Sequence, residues 1–151
     1  MENKEFRKII NDLAQKNGFQ TVHRTWLKES DECIIVLYLQ KSNFGNYYYL
    51  NINIYIQDAY DKHYSANENL VKKYFANLSR GQPKEYLAIF DLEFQLNDHE
   101  RKQKLEEFFI DFLIPFCNKA LSRTGIKELG ETSQILVPEK TQRELEKLEI
   151  K

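Results

Sequence analysis

Cysteine, glycine, proline and an excess of either charge are all scarce in this chain of 151 residues. Five glycines and three prolines exclude a fibrous or low-complexity protein. With 22 basic and 23 acidic side chains the net charge is −1. That excludes a protein held on nucleic acid by bulk positive charge, and a polybasic membrane-surface protein. The balance also holds locally: residues 1–75 carry 10 basic and 9 acidic side chains, and residues 76–151 carry 12 and 14. Neither half is a lobe of one sign that would imply an oppositely charged partner. The most apolar stretch, residues 108–117, falls short of the ~20 residues of a membrane span and contains Asp111 and Pro115. The N-terminus lacks the apolar segment of a signal peptide. The two cysteines, Cys33 and Cys117, each sit in an apolar run with no second ligand beside them. They read as reduced core thiols rather than a disulfide or a metal site. These features predict a soluble, cytoplasmic protein with no membrane partner.

What the chain does contain is 42% hydrophobic and 13% aromatic residues, a globular profile. At this length folding buries ~70% of the unfolded surface, enough for a sizeable core. Phe6, Ile9, Ile10 and Leu13 recur at helical spacing, and Asn17-Gly18 is a C-cap signal, so a helix is expected over residues 3–16. From Phe19 the period becomes two, predicting a strand with Val22, Arg24 and Trp26 on one face and Thr21, His23, Thr25 and Leu27 on the other. Residues 33–39 are continuously apolar and β-branched, the pattern of a central strand buried on both faces. The polar 40–46 loop then turns the chain back as a hairpin. The returning strand has Leu50, Ile52, Ile54 and Ile56 on a core face and Tyr47, Tyr49, Asn51, Asn53 and Tyr55 on the other.

Asn67 is a cap for a helix carrying Leu70, Val71, Tyr74, Phe75 and Leu78, stopped by Gly81 and Pro83. Residues 86–94 alternate in their second half and read as another strand. Asn97, with Glu100 three residues on, opens the strongest helix, whose apolar surface runs from Leu105 to Leu121 and is wide enough to be covered on more than one side. Pro115 lacks an N–H and crowds the carbonyl of Asp111, so a kink or break is expected there. Ile135-Leu136-Val137 reads as an edge strand or packed loop, and residues 139–151 as a helical segment with a thin apolar stripe, prone to fray. The whole predicts one α+β domain: an antiparallel sheet of about four strands packed on a long C-terminal helix and an N-terminal helix.

The chemistry-bearing residues favour binding over catalysis. His23, His63 and His99 stand far apart without paired-ligand spacing, so no metal is expected. Ser42 lacks the strand-turn-helix setting of an activated nucleophile. The carboxylate pairs on the helices read as solvated faces, and no phosphate-cradling glycine loop is present, so neither a catalytic group nor a cofactor is expected. What remains is the tyrosine and asparagine face of the returning strand beside the 40–46 loop. Tyrosine supplies large contact area at small entropic cost and is enriched at binding surfaces. The candidate binding residues are therefore Gln40, Lys41, Ser42, Tyr47, Tyr49, Asn51, Asn53 and Tyr55.

The helix ending in Asn17-Gly18-Phe19, the strand with Trp26, the Gln40-Lys41-Ser42 stretch, the strand Tyr49-Leu50-Asn51-Ile52-Asn53-Ile54 and the Leu113-Ile114-Pro115-Phe116 helix together resemble a bacterial family, domain of unknown function 4304. The resemblance implies the fold; that family has no established activity. Its members often carry an arginine in a short strand after the variable loop, and the nearest counterpart here, residues 75–80 ending in Arg80, departs from that pattern. The functional expectation is a non-enzymatic protein that binds another protein or itself, such as an immunity-type partner of a bacterial toxin. The alternative is a small-ligand carrier or small enzyme with a pocket under the 40–46 loop, where Gln40, Lys41 and Ser42 offer donors to an anion. Single-stranded RNA stacked on the tyrosines is a third reading, disfavoured by the near-neutral charge.

Overall fold

A computed structural model describes residues 1–149 of the chain. The amphipathic stripe of the first segment forms helix α1 (Asn3–Lys16), which buries Phe6, Ile10 and Ala14 and ends at the expected Asn17-Gly18 cap. Five strands follow among the described residues: β1 (Gln20–Val22), β2 (Thr25–Glu29), β3 (Cys33–Lys41), β4 (Tyr48–Ile56) and β5 (Leu78–Arg80). They form one antiparallel sheet in the order β1-β2-β3-β4-β5, one strand more than the sequence reading.

β3 is central, as its apolar run predicts. Cys33, Ile35, Leu37 and Leu39 enter the main core, while Ile34 and Val36 enter a smaller cluster on the opposite face. Its neighbour β4 holds the expected register: Leu50, Ile52, Ile54 and Ile56 are all fully buried in the main core. At the sheet's first edge the expectation fails. The single strand read from Phe19 to Leu27 is a hairpin, with Val22 opposite Thr25 and His23 and Arg24 as its turn. His23 takes a left-handed φ of 56°, and the Thr25 hydroxyl donates to the Val22 carbonyl at 2.7 Å, which closes the turn. A two-residue reversal exchanges the faces. Trp26 therefore joins the main core while Val22 packs on the other side, where a straight strand would put them together.

After β4 the chain crosses the second face. Asn67 caps helix α2 (Glu68–Lys73) by accepting from the Asn69 N–H at 3.0 Å, but the helix stops at Tyr74, well short of the predicted length. The stretch beyond is captured by the edge of β4: the Asn77 N–H donates to the Ile54 carbonyl and its side chain accepts from the Ile56 N–H. β5 follows directly, so residues 67–80 are helix first and strand after. Residues 86–94, expected as a strand, do not form one: Lys84–Phe90 is a 3-10 turn, and of the stretch only Asp91 makes a single bridge, to Tyr47. The cause is Arg101, a buried side chain whose guanidinium donates to the carbonyls of Ala88, Ile89 and Phe94 and so coils that segment around itself.

Arg101 belongs to α3 (Asp98–Phe108), capped by Asn97 through the Glu100 N–H at 2.7 Å. α3 continues through a π turn over Phe109–Leu113 into α4 (Ile114–Ala120). This is where Pro115 was expected to disturb the helix. A π turn widens the ring of hydrogen bonds and takes up the residue whose N–H is missing. Two further helices, α5 (Arg123–Glu131) and α6 (Glu139–Glu149), complete the described chain, with Ile135 and Val137 packed in the loop between them. α4 and α5 meet at Gly125, where a Cβ would lie 1.8 Å from the Lys119 carbonyl oxygen, so only glycine fits. α6 buries Thr141, Leu145 and Leu148 and is pinned by Glu144, which accepts from the Tyr60 N–H. The last two residues of the predicted 139–151 segment lie outside the described residues. α1 and the α3–α6 series thus pack with one face of the sheet around the main core, and α2 shelters part of the other.

Candidate functional site

The second face of the sheet is closed at one end and bare at the other. Four cross-strand pairs of β3 and β4 project onto it: Ile34 with Tyr55, Val36 with Asn53, Tyr38 with Asn51, and Gln40 with Tyr49. Successive pairs are ~7 Å apart along the strands. Leu70 of α2 and Tyr64 of the crossover pack over the first two pairs, so Ile34, Val36 and Tyr55 are buried. Beyond Asn53 the cover ends. Tyr38 is 39% exposed and Tyr49 42%, aromatic area that a folded sheet normally hides.

The expected binding residues divide accordingly. Gln40, Asn51 and Tyr49 lie together on the bare half, where the Asn51 amide donates to Gln40 Oε1 at 3.1 Å. Tyr47 joins them edge-on against Tyr49 at 5.7 Å between ring centroids. Partial desolvation, together with the Tyr47 hydroxyl beside it, raises the Tyr49 phenol above its ordinary pKa. Asn53, half-buried, marks the boundary. Tyr55 is not on the bare half: it lies under the crossover, edge-on to Tyr64, with its hydroxyl donating to the Tyr74 carbonyl at 2.9 Å. Burial, with Tyr64 adding to it, raises its pKa. Lys41 pairs with Tyr48, a core residue, and therefore projects toward the opposite side of the sheet from Gln40. Ser42 serves the loop itself, its hydroxyl accepting from the Phe44 N–H at 3.0 Å.

Two exposed aromatic residues, one on the bare half and one at the loop tip beyond it, were missed. Tyr38 sat inside an apolar run read as wholly buried, and Phe44, at the tip of the 40–46 loop, is 94% exposed. Both were open to detection: hairpin pairing sets Tyr38 against the polar Asn51, and a lone aromatic among turn formers has no core to enter. The loop is braced from below. The Leu92 N–H donates to the Asn46 carbonyl, and a Cβ on Gly45 would meet the Tyr47 ring at 2.8 Å and the Glu93 carboxylate at 2.9 Å. The volume just beneath Gly45 is therefore occupied by protein. From Tyr38 the surface runs on into a groove of about 200 Å³ between the β1–β2 turn and α2, walled by Val22, Thr25 and Val71.

Elsewhere the two thiols are buried. No group of three or more His, Cys, Asp or Glu residues among those described is placed to hold a metal. Burial pushes both Cys33 and Cys117 up to about 12, so neither is a nucleophile near neutrality. No helix among the described residues is long and apolar enough to cross a membrane. Arg80, at the end of β5, lies 5.0 Å from the Phe112 ring and donates to the Gln134 carbonyl, a structural clamp on the helical side.

Fold and surface together define an α+β protein with one sheet face sealed by helices and the other left half uncovered and rich in tyrosine. The family model for domain of unknown function DUF4304 matches residues 10–119, and the chain belongs to that family. The match runs from α1 through α4 and includes the residues that carry the resemblance; Arg80 ends the short strand β5 within it. No curated protein and no solved structure matches the chain.

Proposed function

We propose that this is a non-enzymatic cytoplasmic binding protein that takes hold of another protein with the uncovered half of its sheet. The observation that carries the reading is the pair of exposed tyrosines, Tyr38 and Tyr49, flanking the Gln40–Asn51 amide pair, with Phe44 exposed at the tip of the adjoining loop. Rigid aromatic anchors set among satisfied polar groups are the composition of interface hot spots. The anchors stand on strands and on a braced loop, so little ordering entropy is lost when a partner closes over them. An immunity-type role, in which the captured protein is a toxin, is one instance of this class, and a second copy of the chain is another possible occupant.

The test is affinity capture from the native host with the wild-type protein and with a Phe44→Ala/Tyr49→Ala variant, alongside light scattering of the purified protein. The proposal expects one partner, or a concentration-dependent dimer, that the double variant loses while its melting temperature stays within a few degrees of wild type. A wild-type monomer without a partner, or a partner held equally by the variant, overturns it.

A further inference from the structure

The other side of the β1–β2 turn carries a feature that the aromatic face does not use. In a chain of net charge −1, the groove between α1 and the β1–β2 turn gathers Lys4, Arg7 and Lys8 from the helix and His23 and Arg24 from the turn, all exposed. Lys4, Arg7 and Lys8 share one side of α1 because they stand three and four residues apart, and with Asn11 they line ~10 Å of helix. The groove is concave, about 620 Å³, which is ample for a metabolite-sized ligand. Only Lys8 is neutralised, by Asp12 at 2.7 Å on the exposed surface. Lys4, Arg7 and Arg24 make no ion pair among the described residues.

The floor adds a second, independent argument about ligand type. Asn11 Oδ1 accepts from the Trp26 indole at 2.9 Å and from the Thr21 hydroxyl at 3.1 Å, and the Thr21 oxygen in turn accepts from Gln15. The side-chain oxygens at the base of the groove are thus engaged internally, and the Asn11 amide nitrogen is left to donate. What the groove presents is N–H donors and positive charge, a surface matched to a ligand made of acceptors. We propose that it is an anion site for a small molecule carrying two or more adjoining phosphates. Three unpaired permanent cations, with Lys8 beside them, on so short a surface suit a compact multivalent anion better than single carboxylates, and guanidinium forks match phosphate oxygens in pairs. Trp26 is buried beneath the site and fixes Asn11, so the donors are preorganised.

Isothermal titration of the full chain with inorganic triphosphate tests the proposal, with a Lys4→Gln/Arg24→Gln variant that removes one cation from each wall and a Lys104→Gln control on α3. Saturable binding of triphosphate is expected, weakening as ionic strength rises. The double variant should lose at least tenfold in affinity, with its unliganded melting temperature and the control's affinity both unchanged. No saturable binding by the wild type, equal binding by the double variant, or binding of a single-stranded oligonucleotide but not of triphosphate would each overturn it.

Discussion

Replacing Arg101 by methionine should weaken the fold and, with it, the support of the aromatic loop. Arg101 is 1% exposed, and its guanidinium reaches three carbonyls: Ala88 at 3.3 Å, Ile89 at 2.8 Å and Phe94 at 2.9 Å. Desolvation lowers its pKa, and the negative charges of Asp91 and Asp98 counter that effect. Methionine keeps most of the apolar stem, so the cavity is small and the change is mainly electrostatic. Each carbonyl left without a donor costs about 1–3 kcal/mol, and relief of the buried cation's desolvation returns several kcal/mol. The net expectation is a loss of about 2–4 kcal/mol, or ~5–15 °C in melting temperature for a chain of this size. Arg101→Lys should fall between, since an ammonium cannot fork to three acceptors. The consequence is also local. Residues 91–94 brace the loop through the Leu92 N–H to Asn46 and the Asp91 bridge to Tyr47, so the Leu92 amide should exchange faster than amides in β3. Thermal melting and hydrogen exchange read both effects. A variant within about 0.5 kcal/mol of wild type with Leu92 still protected would refute the reasoning. It would mean that Ile89 and Phe90 hold the segment without help.

Three further outcomes follow from the packing. Gly125→Ala should destabilise by at least ~2 kcal/mol in a denaturant titration, because the added carbon meets the Lys119 carbonyl oxygen at 1.8 Å and α4 and α5 must separate. The native thiols should resist a disulfide reagent at neutral pH and react once the chain is unfolded. Folding raises both from 9.0 to about 12, so their contribution to stability is complete below pH 9 and is lost as pH climbs toward 12. A flat melting temperature across that window would contradict it. Tyr55→Phe should cost about 1 kcal/mol through the lost bond to the Tyr74 carbonyl and leave partner binding intact, in contrast to Tyr49→Ala.

The parts of the fold legible in the sequence were those set by one-dimensional period. The β4 alternation and the α1 stripe are each enforced by a face that is buried throughout, so hydrophobicity records them faithfully. The β1–β2 reversal left no such trace: its turn is His23-Arg24 rather than a glycine or asparagine pair, and the alternation runs straight through it. Residues 86–94 imitate a strand because Phe90, Leu92 and Phe94 alternate, and what overrules that pattern is an arginine on a later helix. The site was legible to the same depth. Period placed Tyr49, Asn51, Asn53 and Tyr55 on one face, but where α2 ends its cover depends on the crossover, which separates buried Tyr55 from exposed Tyr49. The basic groove was invisible to charge counting, because it is assembled from two segments inside a neutral whole.

Photo-crosslinking inside the native host tests the bare half-sheet most directly: a benzophenone side chain is placed at position 44, and at position 136 as a control, since Leu136 is 83% exposed in the α5–α6 connection. The account predicts one discrete adduct from position 44 and none from position 136. A blank lane at 44, or the same adduct from both positions, would contradict it.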